Sequence, residues 1–292
     1  MLKKEFLLVA VILFGTIGSV AVAAEPQAPG ELHGDIGFTY NTLHVWRGYL
    51  TYGHHSSVQA FIDLDLMGTG FGIDVQTQRA NASGSNPDGL GYNNEQRWDY
   101  TLHYAGAFEA DQTWETRYMV GYRYFNYPEM DSHTRNSIDL QEMFVGFSFP
   151  KLLGIPRLVP GYVLIKGWPS NSDTWVGGRN PNHGTYAGWG HVFMLDYGLP
   201  VSGLTAETPE QILNFHVETV YNDGADPRPG GGYTDSDWTH VLFTLSTDFN
   251  LGNGMIFTPA LSHQITMEDD ATRGVSPDHN MTWASLTVKY KF

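Results

Sequence analysis

The sequence predicts an all-β fold, a transmembrane antiparallel up-and-down β-barrel of about twelve strands. Three observations predict it. The composition is rich in aromatics (14%) and poor in charge (16%), yet mean hydropathy is -0.26. Apolar and polar residues alternate with period two over long stretches. The connections between those stretches are alternately short and long. One face in lipid and one in water gives the first two, and short inner turns with long outer loops give the third.

The chain opens with a secretory signal. Lys3 and Lys4 supply the positive end, Phe6 to Ile17 the apolar run, and Ala21-Val22-Ala23 a small-x-small cleavage site. Residues 1–23 are therefore read as signal peptide, and 24–30 as a Pro-containing lead-in. Residues 31–292 form the barrel. No other stretch nears the roughly 18 apolar residues of a membrane helix. Cysteine is absent, which excludes disulfides and thiolate metal sites. The formal charge is -15, and loss of Lys3, Lys4 and Glu5 with the signal removes a net +1 to leave -16. Such a chain is not expected to bind nucleic acid, which needs basic patches.

The strands are expected at Leu32–Tyr40, Val58–Leu66, Phe71–Arg79, Gln96–Phe108, Trp114–Phe125, Ile138–Phe149, Leu158–Lys166, Gly188–Tyr197, Ile212–Tyr221, Trp238–Phe249, Met255–Gln264 and Met281–Phe292. Most have the length a tilted strand needs to cross a bilayer. Alternation is clearest in the fourth and fifth. Trp98, Tyr100, Leu102, Tyr104 and Phe108 oppose Arg97, Asp99, Thr101 and His103. Trp114, Tyr118, Val120, Tyr122 and Tyr124 oppose Glu115, Arg117 and Arg123. Gly198–Gln211 is the misfit, a long connection at a short-side position. The last strand alternates to its end at Phe292. Tyr290 and Phe292 are taken as the signal read by outer-membrane assembly machinery.

The candidate pore-lining residues are Asp63, Asp65, Asp74, Arg97, Asp99, Glu115, Arg117, Arg123, Glu142 and Glu218. A turn at Gly68-Thr69 puts Leu64 opposite Ile73 and Asp63 opposite Asp74. Opposed like charges need a counter-charge, a cation or a raised pKa. A hairpin pairing Phe108 with Trp114 would set Asp99 opposite Arg123. Two roles stay open for these charges. They form an acidic wall facing a basic wall of Arg97, Arg117 and Arg123, or they form ion pairs that brace the interior. Later strands turn milder groups inward: His240, Thr244, Ser246, Asp248, Thr258, Ser262, Gln264, Lys289 and Lys291.

No metal and no cofactor is expected. His54-His55, His191, His216, His240 and His263 lack ligand spacing, and Glu268-Asp269-Asp270 lacks the pattern of a calcium loop. An outer-membrane hydrolase would need a converging Ser and His. Ser262 and His263 are neighbours and fall on opposite faces, and no GxSxG element is present.

The order His44-Val45-Trp46-Arg47-Gly48, Gly70-Phe71-Gly72, Gln141-Glu142, Gly146-Phe147-Ser148-Phe149-Pro150 and Pro160-Gly161-Tyr162 resembles the TorF-like family of outer-membrane porins, over residues 35–165. The resemblance implies a β-barrel and pore activity, and supplies neither catalytic residues nor a ligand. Arg47 either anchors the first loop or lines the mouth.

The expected function is passive diffusion of small hydrophilic solutes or ions across the outer membrane, with no enzyme activity. Outer-membrane lipid and the assembly machinery are the other partners, and the sequence carries no sign of an oligomeric state. Gly167–Ala187, with Trp168, Trp175 and Trp189 in or beside it, is the candidate constriction. The competing reading is a non-conducting barrel that binds, adheres or serves envelope structure through its outer loops.

Overall fold

A computed structural model describes residues 30–52, 54–81, 96–128, 139–170, 188–205, 208–227, 234–267 and 280–292. The signal peptide, the lead-in as far as residue 29 and the Glu268-Asp269-Asp270 loop lie outside the described residues. The elements are β1 (His33–Asn41), β2 (Val45–Trp46), β3 (Tyr49–Leu50), β4 (Ser57–Asp65), β5 (Phe71–Ala80), β6 (Gln96–Phe108), β7 (Thr116–Asn126), β8 (Leu140–Ser148), β9 (Leu158–Pro169), β10 (Trp189–Thr205), β11 (Thr208–Pro227), β12 (Thr234–Thr247), β13 (Phe249–Gly252), β14 (Met255–Thr266) and β15 (Met281–Lys291).

All but β2 and β3 form one antiparallel sheet that closes on itself, with β1 paired to β15 and β12 paired to β14. β13 continues β12 past Asp248 along the same partner. Ser246 faces Ala260, and Phe249 faces Phe257. The wall is therefore a closed barrel of twelve strands. Closure gives every strand two neighbours, so no row of backbone groups is left open.

The period-two pattern sorts the faces. On β1, Asp35, Thr39 and Asn41 are buried in the interior while Ile36, Phe38 and Tyr40 are exposed outside. On β15, Trp283, Ser285, Thr287 and Lys289 point in, and Leu286, Tyr290 and Phe292 point out. Aromatics gather at both rims of the outer face. Trp98–Tyr100, Tyr122–Trp168 and Tyr221–Trp238 are in ring contact near the long-loop rim. Phe71–Tyr104, Phe108–Tyr118 and Tyr290–Phe292 are in contact near the short-turn rim. Trp98 and Phe108 lie 10 residues apart on β6. That is ~33 Å along a strand, or about 25 Å along the axis at a tilt of ~40°, the height of a barrel's apolar band.

The expected register of the second and third wall strands holds: Leu64 faces Ile73, and Asp63 faces Asp74. The next hairpin departs from expectation by two residues. Phe108 pairs with Thr116, so Thr101 rather than Asp99 faces Arg123. The turn before Thr116 is longer than a tight hairpin. It bends twice, with Gln112 N donating to Glu109 O and Glu115 N to Gln112 O, and Glu109 takes a left-handed φ of 50°. A shift of two leaves every side chain on its face. The misfit Gly198–Gln211 also resolves. Most of it is strand, because β10 runs on to Thr205 and β11 begins at Thr208.

Closure places Thr39 and Thr287 opposite each other, with hydroxyls 2.8 Å apart across the seam between the first and last strands. That spacing suits a disulfide between the facing Cβ atoms. In this cysteine-free chain, Thr39→Cys with Thr287→Cys is expected to cross-link on mild oxidation. The check is faster migration of the unfolded chain in a non-reducing gel, reversed by reductant. Failure to cross-link would refute the seam register.

Candidate functional site: the lumen and its inward first loop

The barrel interior carries most of the buried polar residues, and the first loop folds into it. β2 and β3 make a minute hairpin, with Trp46 paired to Tyr49 and Val45 to Leu50. Arg47 and Gly48 occupy its turn with φ of 52° and 85°. Both values are left-handed, as a two-residue turn of this hand demands. Gly48 suits it. A Cβ there would also lie 2.7 Å from His240 Nδ1. Arg47 bears the left-handed conformation less easily, and its side chain shows what holds it there. The guanidinium bonds Glu142 on β8 and lies 4.6 Å from the Trp46 ring centroid.

Three walls hold the hairpin. Arg47 reaches β8, Gln264 Nε2 of β14 donates to Gly48 O at 2.9 Å, and Trp46 meets Phe125 of β7 edge-on at 5.6 Å. Beneath it, Val45 packs with Leu242, Met281 and Trp283. Tyr52 is buried and donates to Gln78 O. His44 is buried too, and burial together with the Arg97 charge pushes its pKa down to about 3, so the ring is neutral.

A belt of side-chain hydrogen bonds runs across five wall strands, β15, β1, β4, β5 and β6, at this height. Ser285 donates to Asn41 (2.6 Å), Asn41 to Gln59 (3.0 Å), Gln59 to Gln78 (3.4 Å) and Gln78 to Asp99 (3.2 Å). Asp99 accepts both Nε and Nη2 of Arg97, each at 2.8 Å. Fork-to-carboxylate geometry of this kind is what lets two charges stay buried.

All the lumen-lining residues expected from sequence face inward or sit at the rim, but the basic wall does not exist as a wall. Arg97 is spent on Asp99. Arg123 donates to Thr101 at 2.9 Å and to Glu142 at 3.3 Å. Arg117 donates to Glu115 at 2.7 Å, and Lys151 joins at 2.9 Å. Burial would raise the Glu115 pKa, but hydrogen bonds from Lys151 and Arg117 outweigh it and hold the carboxyl below its usual range. Asp63 and Asp74 face each other with Asp65 beside them, without a described cation at ion-pair distance. The arginines are therefore held in ion pairs, and no described ion pair reaches Asp63, Asp65 or Asp74.

Glu218 is fully buried between two histidines that sequence spacing left apart. His240 Nε2 is 3.6 Å from it and His216 Nε2 3.8 Å, while His216 Nδ1 meets Asp196 at 2.7 Å. His216 and Glu218 share a face at i and i+2, which is the only trace of this in the sequence. Among the described residues no group of three or more His, Asp or Glu is arranged to hold a metal. Ser262 bonds Thr244 inside, and His263 bonds Thr282 outside, so this Ser and His do not meet. The expected constriction at Gly167–Ala187 lies mostly outside the described residues. Its flanking Trp168 and Trp189 point outward, Trp189 beneath the Lys166 ammonium at 5.0 Å. Among the described residues, the segment that folds into the interior is the first loop.

No family model and no curated protein matches the sequence. Among solved structures, the KdgM porin superposes with a TM-score of 0.49 at 8% identity, over 88% of this chain and 99% of that one. An outer-membrane channel from Pseudomonas putida F1 gives 0.49 at 12% identity, over 92% and 98%. Outer membrane phospholipase A from Escherichia coli gives 0.43 at 10% identity, over 90% and 93%. These likenesses are too remote to carry an activity across, and the barrel stands on its own strand register.

Glu142 is the shared acceptor of Arg47 and Arg123, and its side chain is 2% exposed. Glu142→Gln removes the carboxylate charge that the Arg47 and Arg123 guanidiniums share, which is expected to cost about 3 kcal/mol. The check is a lower denaturant midpoint for unfolding in detergent. A midpoint within error of wild type would show that the pair does not hold the loop.

Proposed function

We propose that this chain is an outer-membrane porin-like barrel that lets small hydrophilic solutes diffuse past a constriction made by its own first loop. Export by the signal at residues 1–23 fits this location, and the outward Tyr290 and Phe292 on the last strand fit a terminal assembly signal. One observation carries the reading: a closed cylinder whose outer face is apolar between two aromatic rims encloses an interior of charged and hydrogen-bonding side chains. A soluble barrel has no use for that inversion. Solute flow would be driven by the concentration gradient alone. The likeness of the Trp46-Arg47-Gly48 stretch to TorF-like porins agrees with a first loop that matters to the pore.

A second reading has an observation in its favour. Asp99, Glu142, Glu218 and His240 are at most 1% exposed. Side chains so fully covered would suit a barrel closed at the hairpin and working through its outer loops.

Planar-bilayer recording separates the two. The wild-type barrel is expected to give discrete steps, smaller than those of a wider 16-stranded porin. Replacing residues 45–50 by a Gly-Ser linker is expected to raise the step by about twofold or more, because the hairpin occupies the lumen. Silence from both proteins, after gel shift on heating has established folding, would favour the closed barrel and end the channel reading.

A further inference from the structure

We propose that the lumen prefers cations, and that Asp63, Asp65, Asp74 and Asp248 set that preference. The inference deepens the channel reading and rests on it.

The charges inside the barrel are not symmetrically satisfied. Among the described residues the cationic side chains deep in the lumen are held by carboxylates: Arg47 and Arg123 by Glu142, Arg97 by Asp99, Arg117 by Glu115, and Lys289 by Asp35 at 3.0 Å, while Lys291, at the exposed end of β15, makes no described ion pair. A permeating anion would have to displace one of these partners to reach a positive group inside. Among the described residues the four aspartates have no such partner. Asp63 and Asp74 face each other across β4 and β5, and Asp65 follows on the same inward face. Asp74 receives only the Thr101 hydroxyl at 3.4 Å, and Asp65 only the Gly68 N–H at 2.7 Å. Asp248 receives the Thr258 hydroxyl. All four are half-buried, so water in the lumen reaches them.

A second observation points the same way. Ser246 sits one inward position from Asp248 on β12 and is 3% exposed, and its hydroxyl has no hydrogen-bond partner. A buried hydroxyl without a described partner, two residues along the same inward face from Asp248, leaves oxygen lone pairs that a passing cation can use. The nearest described cations, Arg123 for Asp74, Lys289 for Asp63, and Lys289 with Lys291 for Asp248, act on these oxygens only from beyond ion-pair distance. The wall of β8 to β11 instead turns Phe144, Val163, Ile165, Val192, Met194 and Val220 inward. The field is therefore one-sided, and it concentrates positive ions along the acidic strands. Facing carboxylates such as Asp63 and Asp74, destabilising on their own, are relieved by the same ions.

The test is the reversal potential of the full-length barrel in planar bilayers under a tenfold KCl gradient at pH 8. The expected potassium-to-chloride permeability ratio is about three or more. The isosteric quadruple variant Asp63→Asn, Asp65→Asn, Asp74→Asn and Asp248→Asn is expected to conduct with a ratio near one. If that variant fails to fold, wild type at pH 4 supplies the second measurement, since carboxylates take up protons there, and the ratio is expected to fall. A conducting wild-type barrel that is non-selective or prefers chloride, or a ratio indifferent to both changes, overturns this inference alone. A wild-type barrel that passes no current overturns the channel reading and this one together.

Discussion

A chain that crosses hydrocarbon must satisfy its backbone from within, because each bare N–H or C=O there costs several kcal/mol. Everything else in this barrel follows from meeting that demand. The seam between the first and last strands does so to the end of the chain: Gly34 and Phe292 exchange two backbone bonds of 3.0 Å. Once the cylinder is closed, the pleat leaves each residue only two directions. The apolar set takes the lipid side, and the polar set is driven inward whether or not it finds partners there.

The interior then has to solve the problem that closure creates. The inward arginines, acids and amides are expensive to strand, and a twelve-stranded cylinder is too wide for strand neighbours alone to fill. Two devices meet the need. Around the wall, Ser285, Asn41, Gln59, Gln78 and Asp99 pass hydrogen bonds from strand to strand. Across the middle, the hairpin brings Arg47 to Glu142 and sets Trp46 within 4.7 Å of the Arg97 guanidinium. The left-handed conformation at Arg47 is a small strain, of order 1 kcal/mol, against the buried ion pair it makes with Glu142, which Arg123 also joins.

Much of the wall was legible before the structure. Asp63 opposite Asp74 follows from a two-residue turn and period two, both local. The inward and outward faces of β6 and β7 were also legible, because a register error of two residues between them does not move a side chain to the other face. The error itself came from the folded turn before Thr116, where backbone bonds rather than residue types set the length. The end of β10 and the start of β11 read as a loop because Gly198–Gln211 carries turn residues such as Gly198, Pro200 and Gly203 instead of a period-two apolar pattern. The lumen contacts were not legible. Arg47 meets Glu142 across 95 residues of sequence, and His216 and His240 meet Glu218 from separate strands. Alternation says that a residue faces inward, not which inward residue it will touch. Trp168 and Trp189 show the same limit from outside, since aromatic content suggested a lumen constriction where the strand parity puts them in the outer belt.

The way the hairpin is fastened decides what kind of constriction it can be. A lid that swings needs its contacts on one side, so that the other side can part. This hairpin is tied to β8 through Glu142, to β14 through Gln264 and to β7 through Phe125, with Val45 sunk among Leu242, Met281 and Trp283. Moving it toward any wall breaks the ties to the others. Losing the buried ion pair costs about 3 kcal/mol and the amide bond about 1 more, with the apolar contact on top. Thermal energy is ~0.6 kcal/mol, so the open arrangement would be populated well below one part in a hundred. In the channel reading solutes would pass beside a fixed hairpin, and the side chains on the facing wall rather than the motion of the loop would decide what gets through.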